Sequence, residues 1–234
     1  LPISSRSGRA NGRDRVVRGR GRQIAVRRVA PAEREAIRQR FLRGESPAVI
    51  AREFPFLVTT IRNHVRDLFP VMFTAAFADR AALLARIQPS EAGWVGGVVD
   101  GEGMITVIHQ RGLDSLAGRI SVANTDIRMV EKMKALCGGV CRQGTQDPRP
   151  RNRPLYLWTL TSLPEIGAFC EWIAPYLVIK REHAVLLAEF VALRRARYRK
   201  RGTPARAWEI ANQIRTLNHI SLPRIEPNKQ GLKP

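Results

Sequence analysis

Cysteine is scarce in this 234-residue chain, with Cys137, Cys141 and Cys170 the whole supply. Three thiols at those spacings cannot build a disulfide framework, and a structural zinc site usually draws four ligands from paired motifs, so buried free thiols are expected. Long apolar runs are missing as well. No eighteen consecutive residues are apolar, and no charged n-region leads into an apolar h-region and cleavage site. The expectation is therefore a soluble intracellular protein, cytoplasmic or nucleoid-associated, with no membrane partner. Negative charge is also in short supply: 20 Asp and Glu face 40 Lys and Arg, for a net charge of +20 and an isoelectric point near 11.4. Such a field points to a polyanion, with nucleic acid ahead of a membrane surface because no basic amphipathic helix with a bulky apolar face stands out. Lysine contributes little of it, at positions 132, 134, 180, 200, 229 and 233 only. Arginine carries the rest, and its planar donor fork suits phosphates and guanine edges.

Residues 1–30 hold nine arginines against the single carboxylate of Asp14, with scattered glycine and few large apolar groups. A segment of that composition cannot form a core and is expected to be a disordered, Arg-rich arm. From Pro31 the texture becomes helical. Ala36, Ile37, Arg40 and Phe41 mark a first helix that Gly44 should stop, and Ser46-Pro47 looks like an N-cap followed by proline at the first helical position. A third helix is expected over residues 58–69, with Ile61, Val65 and Leu68 inward and Thr59, Thr60, Arg62, Asn63 and Arg66 outward. Three short helices ending in a polar, arginine-bearing one resemble a helix-turn-helix module over residues 31–70, whose last helix would read the DNA major groove. Pro70 should end that unit, leaving residues 71–89 as a linker helix.

Residues 95–103 read Val-Gly-Gly-Val-Val-Asp-Gly-Glu-Gly. Ser90 is a suitable N-cap for a helix running into this segment, with Glu91 well placed in its first turn. On that helix Gly93, Gly97 and Gly101 line one face, with Gly96 beside them. An interior helical glycine costs roughly 0.5–1 kcal/mol relative to alanine, so several together need an offsetting gain, which close contact with another backbone supplies. A helix C-terminus carries partial negative charge, so Glu102 at that end sits badly without a nearby cation. The segment therefore suggests a tight helix pair carrying a metal.

Beyond Gly103 the hydrophobic period switches from helical to two. Strands are expected over residues 104–110 and 119–124, joined by a turn at Gly112-Leu113-Asp114, then a helix from Asp126 to the stop at Gly138-Gly139. Two more strands, residues 140–145 and 154–160, flank a loop over 146–153. Ser162 and Glu165 have capping-box spacing and open a helix to Trp172, and a last long helix follows Ile179 to about residue 197.

Together these residues resemble a known family. Residues 95–103 are similar to the nonapeptide signature of LAGLIDADG homing endonucleases, and residues 172–180, Trp-Ile-Ala-Pro-Tyr-Leu-Val-Ile-Lys, look like its second landmark, a proline-aromatic-leucine run leading to a lysine. The resemblance implies an α+β fold: a single-motif LAGLIDADG domain over residues 90–217, αββαββα, with a four-stranded antiparallel DNA-binding saddle. A C-terminal tail, residues 218–234, would follow, and the three-helix helix-turn-helix-like domain would precede it. One signature implies a homodimer that acts on double-stranded DNA, its interface formed by Gly93, Gly96, Gly97, Val98 and Gly101. Glu102 would bind Mg2+ or another divalent cation, Lys180 would stabilise charge at the scissile phosphate, and Asn124 would orient solvent, with Arg128 as support. Asp100 would be structural. Side chains with the parity of Glu102, namely Thr106, Ile108 and Gln110, would face DNA with Arg119, Ser121 and Arg142.

The implied activity is a staggered double-strand cut by metal-dependent phosphodiester hydrolysis, from a mobile genetic element of the kind carried in introns. Two other readings compete. One is a non-cleaving transcriptional regulator built on a LAGLIDADG-like domain, which typically lacks the metal-binding acid that Glu102 supplies here. The other is an intron maturase that turns the same basic surface to RNA.

Overall fold

The computed structural model describes residues 28–110, 115–144, 154–196 and 202–218. Residues 1–27 of the expected arm, the turn at 112–114, the loop over 146–153 and residues 219–234 of the expected tail lie outside the described residues. The chain divides into two compact units, residues 1–68 and residues 69–234.

The first unit contains α1 (Pro31–Leu42), α2 (Pro47–Ile50) and α3 (Val58–His64), followed by a 3-10 turn at Arg66–Leu68. Ile37, Phe41, Ile50, Phe56, Ile61 and Val65 are all buried and form its core. Gly44, at φ +93°, stops α1 in the left-handed region, where a Cβ would be strained. The Ser46 hydroxyl accepts from the Val49 N–H and caps α2, as its sequence suggests. Two details differ from expectation. The arm gives way to structure before residue 30, because Val29 is buried and Ala30 is the N-cap of α1. Phe56 lies between the second and third helices, where the sequence suggests a turn at Pro55-Phe56-Leu57, yet it is a core residue that fills space two short helices leave open.

The second unit runs α4 (Phe69–Leu84), α5 (Pro89–Glu102), β1 (Gly103–His109), β2 (Leu116–Asn124), α6 (Ile127–Cys137), β3 (Val140–Gln143), β4 (Tyr156–Leu160), α7 (Leu163–Ile173), α8 (Arg181–Ala196) and α9 (Ala205–Leu217). From α5 to α7 the order is αββαββα, as expected. The four strands form one antiparallel sheet in the order β1-β2-β4-β3. Ile105, Val107, Leu116, Ile120, Val122, Trp158 and Leu160 turn to one face and share a core with α5 to α9. Alternation then sends Thr106, Ile108, Arg119 and Ser121 to the other face.

Several expectations need correction. Pro70 does not break the chain but is the second residue of α4, where a missing N–H costs nothing. Nor is α4 a linker. Its Arg80 guanidinium donates to the Cys137 carbonyl and pairs with Glu165 on α7, while its Phe77 ring packs against Gly167. The N-cap of α5 is Gln88 rather than Ser90, since Pro89 takes the first helical position and moves the boundary back. Ser162 does cap α7 in position, but no capping box forms, because Glu165 is drawn to the half-buried Arg80, a stronger charge-assisted partner than a backbone N–H. The helix α9 has no counterpart in the sequence reading. It covers β1 and β2 with Trp208, Ile210, Ala211 and Ile214. Among the described residues no single helix is long and apolar enough to cross a membrane.

Candidate active site at the end of the glycine helix

The helix α5 buries Ala92, Val95, Gly96, Val98 and Val99 and leaves Gly93, Gly97 and Gly101 exposed. A Cβ on any of those three glycines would meet nothing within 4 Å. The bare face expected from their spacing is therefore present, and no described residue lies within 4 Å of a Cβ on it. Gly96 and Val98, expected at the same interface, turn inward. A Cβ on Gly96 would lie 2.5 Å from the Tyr176 carbonyl oxygen, and Val98 belongs to the core. Their angular offset on a 3.6-residue helix separates them from the 93–97–101 stripe.

At the C-terminal end of that face the two carboxylates part company. Asp100 accepts from three successive backbone N–H groups, Val178 at 2.7 Å, Ile179 at 3.2 Å and Lys180 at 2.8 Å. It thereby ties α5 to the segment that opens α8. Burial alone would raise its pKa, but the three donors and the nearby Lys180 charge outweigh it, and the carboxyl is held below the usual range. Glu102 is exposed and makes no hydrogen bond or ion pair among the described residues. Lys180 lies between them in charge terms. Its Nζ donates to the carbonyls of Val99, at 3.0 Å, and Asp100, so two of its three donors neutralise the negative end of α5. Burial lowers its pKa, opposed by the charges of Asp100 and Glu102.

The helix passes into β1 without a loop. Gly103 is both the cap of α5 and the first residue of the strand, and a Cβ there would stand 2.5 Å from the Val99 carbonyl oxygen. A side chain would pry the junction open. Gly103 faces Val122 in the register, so Asn124 lies two residues beyond that pair at the same end of the sheet. The Asn124 carboxamide oxygen accepts from the Asp126 N–H, an Asx turn leading into α6. Arg128 is engaged with Asp126, whose carboxyl it depresses to about 2. In this geometry Arg128 supports the start of α6.

The open sheet face carries the residues named for DNA. Thr106 pairs with Arg119, Met104 with Ser121, Ile108 with Ala117, and Arg142 with Leu157, so all five candidates within strands share it. Gln110 is exposed just past β1, its N–H bonded to the Ser115 carbonyl. Thr106 and Ser121 are buried despite facing outward. The Arg119 Nε is also buried and has no hydrogen-bond partner among the described residues. Three participants escaped the sequence reading. Met104 has the parity of Glu102 and was legible. Leu157 and Thr159 were not, because their place on this face depends on the β2–β4 register, where Thr159 faces Ser121. Exposed Val178 and Ile179, beside Asp100, fall within the second landmark but had no role of their own in the sequence reading.

No family model matches the chain, and no curated protein does. Among solved structures it resembles homing endonucleases. The homing endonuclease I-CvuI, in complex with its target in the presence of calcium, aligns over 55% of this chain and 82% of its own, with 16% identity and a TM-score of 0.44. The archaeal intron-encoded I-Vdi141I, complexed with DNA, aligns over 58% and 89% with 13% identity and a TM-score of 0.45. The LAGLIDADG meganuclease I-AabMI, bound to uncleaved DNA, aligns over 54% and 43% with 17% identity and a TM-score of 0.39.

Proposed function

We propose that this protein is a site-specific DNA endonuclease that acts as a homodimer and makes a staggered double-strand cut by divalent-metal-dependent hydrolysis. The observation that carries the reading is the exposed, unpartnered Glu102 at the end of an uncovered glycine face. No group of three His, Cys, Asp or Glu gathers to hold a metal among the described residues. One chain offers one carboxylate, and apposing two α5 helices through Gly93, Gly97 and Gly101 would bring a second. Exposed Val178 and Ile179 give that seam an apolar margin. The carboxylate pair fits Mg2+, a hard cation that takes oxygen ligands and keeps sites open for water and phosphate.

When bound, the cation would neutralise charge at the scissile phosphate and lower the pKa of water. The chain's own contributions are distinct. Glu102 would hold the ion, Asp100 fixes the geometry of the helix end, and Lys180 keeps one ammonium donor for a phosphate oxygen. Asn124, with its oxygen engaged, would offer only its amide nitrogen to solvent. The open sheet face would lie against the DNA, with Thr106, Ile108, Gln110, Arg119, Ser121 and Arg142 contacting it, and the first unit would add contacts through α3. The net charge of +20 supports a polyanionic target.

Selection of cleaved sites from a randomised DNA pool with magnesium tests the reading. Wild type should cut, and Glu102→Ala should cut at least about 10³-fold more slowly while still binding. Tight binding by both proteins with cleavage by neither would replace the endonuclease with the regulator. A monomeric complex on a full site would overturn the dimer.

A further inference from the structure

The end of α9 is tied to two elements of the candidate site. The His183 imidazole, only 5% exposed, donates to the carbonyl of Leu217, the last residue of α9, and to the side chain of its C-cap, Asn218. Nε2 makes both bonds, because Nδ1 is buried with no hydrogen-bond partner among the described residues. Asn218 passes the connection on through its amide nitrogen, which donates to the Ile105 carbonyl at 2.9 Å. That carbonyl points away from β2: β1 is an edge strand, Gln110 bonds Ser115 across the hairpin, and the alternation from that pair leaves Ile105 facing outward. His183 lies one helical turn after Lys180, whose carbonyl accepts from the Ala184 N–H at the start of α8, and Ile105 lies three residues after Glu102, across the junction at Gly103. The bonds therefore run from the root of the lysine to the root of the carboxylate. Asp100 makes one tie between these segments, and this is a second. Burial and the Lys180 charge hold the His183 pKa down, against Glu182 and the two hydrogen bonds, so the imidazole is neutral and carries the single N–H that the bridge uses. Leucine would fill a similar space without burying a bare ring nitrogen, a cost that packing alone does not explain.

We infer that His183 and Asn218 are positioning residues that hold the Lys180 ammonium at a fixed reach from the Glu102 carboxylate, so that α9 sets the geometry of the candidate site as well as covering the sheet. The inference rests on the reading of Glu102 and Lys180 as the cutting groups and adds how their separation is kept. Neither His183 nor Asn218 needs to touch DNA. Both act through the backbone, one on the first turn of α8 and the other on the start of β1. A lysine that must meet a phosphate oxygen gains its effect from placement, and an error of about 1 Å costs a reaction on the order of 10²-fold. Because the bridge joins the two segments in series, cutting it at either residue has the same result.

The test uses the full chain and reads four quantities: single-turnover cutting in magnesium, DNA affinity in calcium, the melting temperature, and the NMR signal of the Lys180 ε-methylene, assigned by its loss in Lys180→Met. His183→Leu should cut about 10- to 100-fold more slowly with affinity and melting temperature unchanged, and should move the Lys180 signal. His183→Gln, which keeps a donor, should restore most of the rate and return the signal. Asn218→Ala, at a half-buried helix end, should lose rate to the same extent, and the double variant no more than either alone. It carries the test by itself if His183→Leu fails to fold. If wild type cuts and the bridge variants cut equally fast, or lose rate only in step with affinity or melting temperature, the inference is overturned and the endonuclease stands. If wild type cuts nothing, the endonuclease falls and the Lys180 signal decides: a signal moved by His183→Leu and restored by His183→Gln sustains the positioning, and an unmoved one overturns it as well.

Discussion

Asp100 and Glu102 share a charge and a helix end, yet their surroundings assign them opposite work. Asp100 spends its charge on three backbone donors, and removing it strands those N–H groups at the start of α8. Asp100→Ala should therefore cost about 2–4 kcal/mol of stability, measured by denaturant unfolding at pH 7. The pH dependence follows from its depressed pKa. The stabilisation is complete above the unfolded value of about 4 and is lost as pH falls from there through the folded value. Asp100→Asn should be less stable near neutrality and should lack that acid-side loss. Glu102 has no such bonds, so Glu102→Ala should leave the unfolding midpoint almost unchanged while removing cleavage.

At the scale of the element, α5 offers a comparison within one helix. Gly96→Ala pushes a Cβ against the Tyr176 carbonyl and should lower stability by about 1–3 kcal/mol. A Cβ added by Gly97→Leu meets nothing within 4 Å among the described residues. The variant should fold as well as wild type or slightly better, since glycine is the costlier helical residue, yet sediment as a monomer. A dimer that survives Gly97→Leu removes the α5 seam. The glycine stripe was legible because spacing alone defines a helical face, and the strands were legible from a period of two. What the sequence hid were features set by distant partners. Gly96 faces inward only because the 3-10 turn Ala174–Tyr176 lies against it, Glu165 forgoes its cap because Arg80 reaches it from 85 residues away, and α9 interleaves polar residues with a core stripe that no local signal announces. Within the candidate site, the carboxylates and Lys180 could be read from the two motif-like segments, whereas Leu157 and Thr159 required the pairing of β2 with β4.

The whole molecule is two bodies rather than an endonuclease domain with appendages, and the boundary falls earlier than composition suggests. Because α4 buries Arg80 against Glu165 and the Cys137 carbonyl, it belongs to the body that holds the sheet. A chain beginning at residue 69 should unfold cooperatively with a midpoint near that of the second unit in the full protein. One beginning at residue 89 leaves Glu165 without its partner and Gly167 without the Phe77 ring, and should lose at least about 3 kcal/mol. Calorimetry of the two truncations decides this, and equal midpoints would return α4 to the status of a connector.

The junction at Gly103 has a further consequence. With no loop between α5 and β1, and with the Val99 carbonyl filling the space a side chain would need, Glu102 and Met104 are parts of one stiff splice. On the proposed reading, a strand that shifted to suit a different base sequence would drag the carboxylate with it. Discrimination between targets would then register in the rate of cutting as well as in affinity, and redesigning the outward residues nearest Gly103 would detune the cut, whereas redesign at the far ends of the strands would leave it in place.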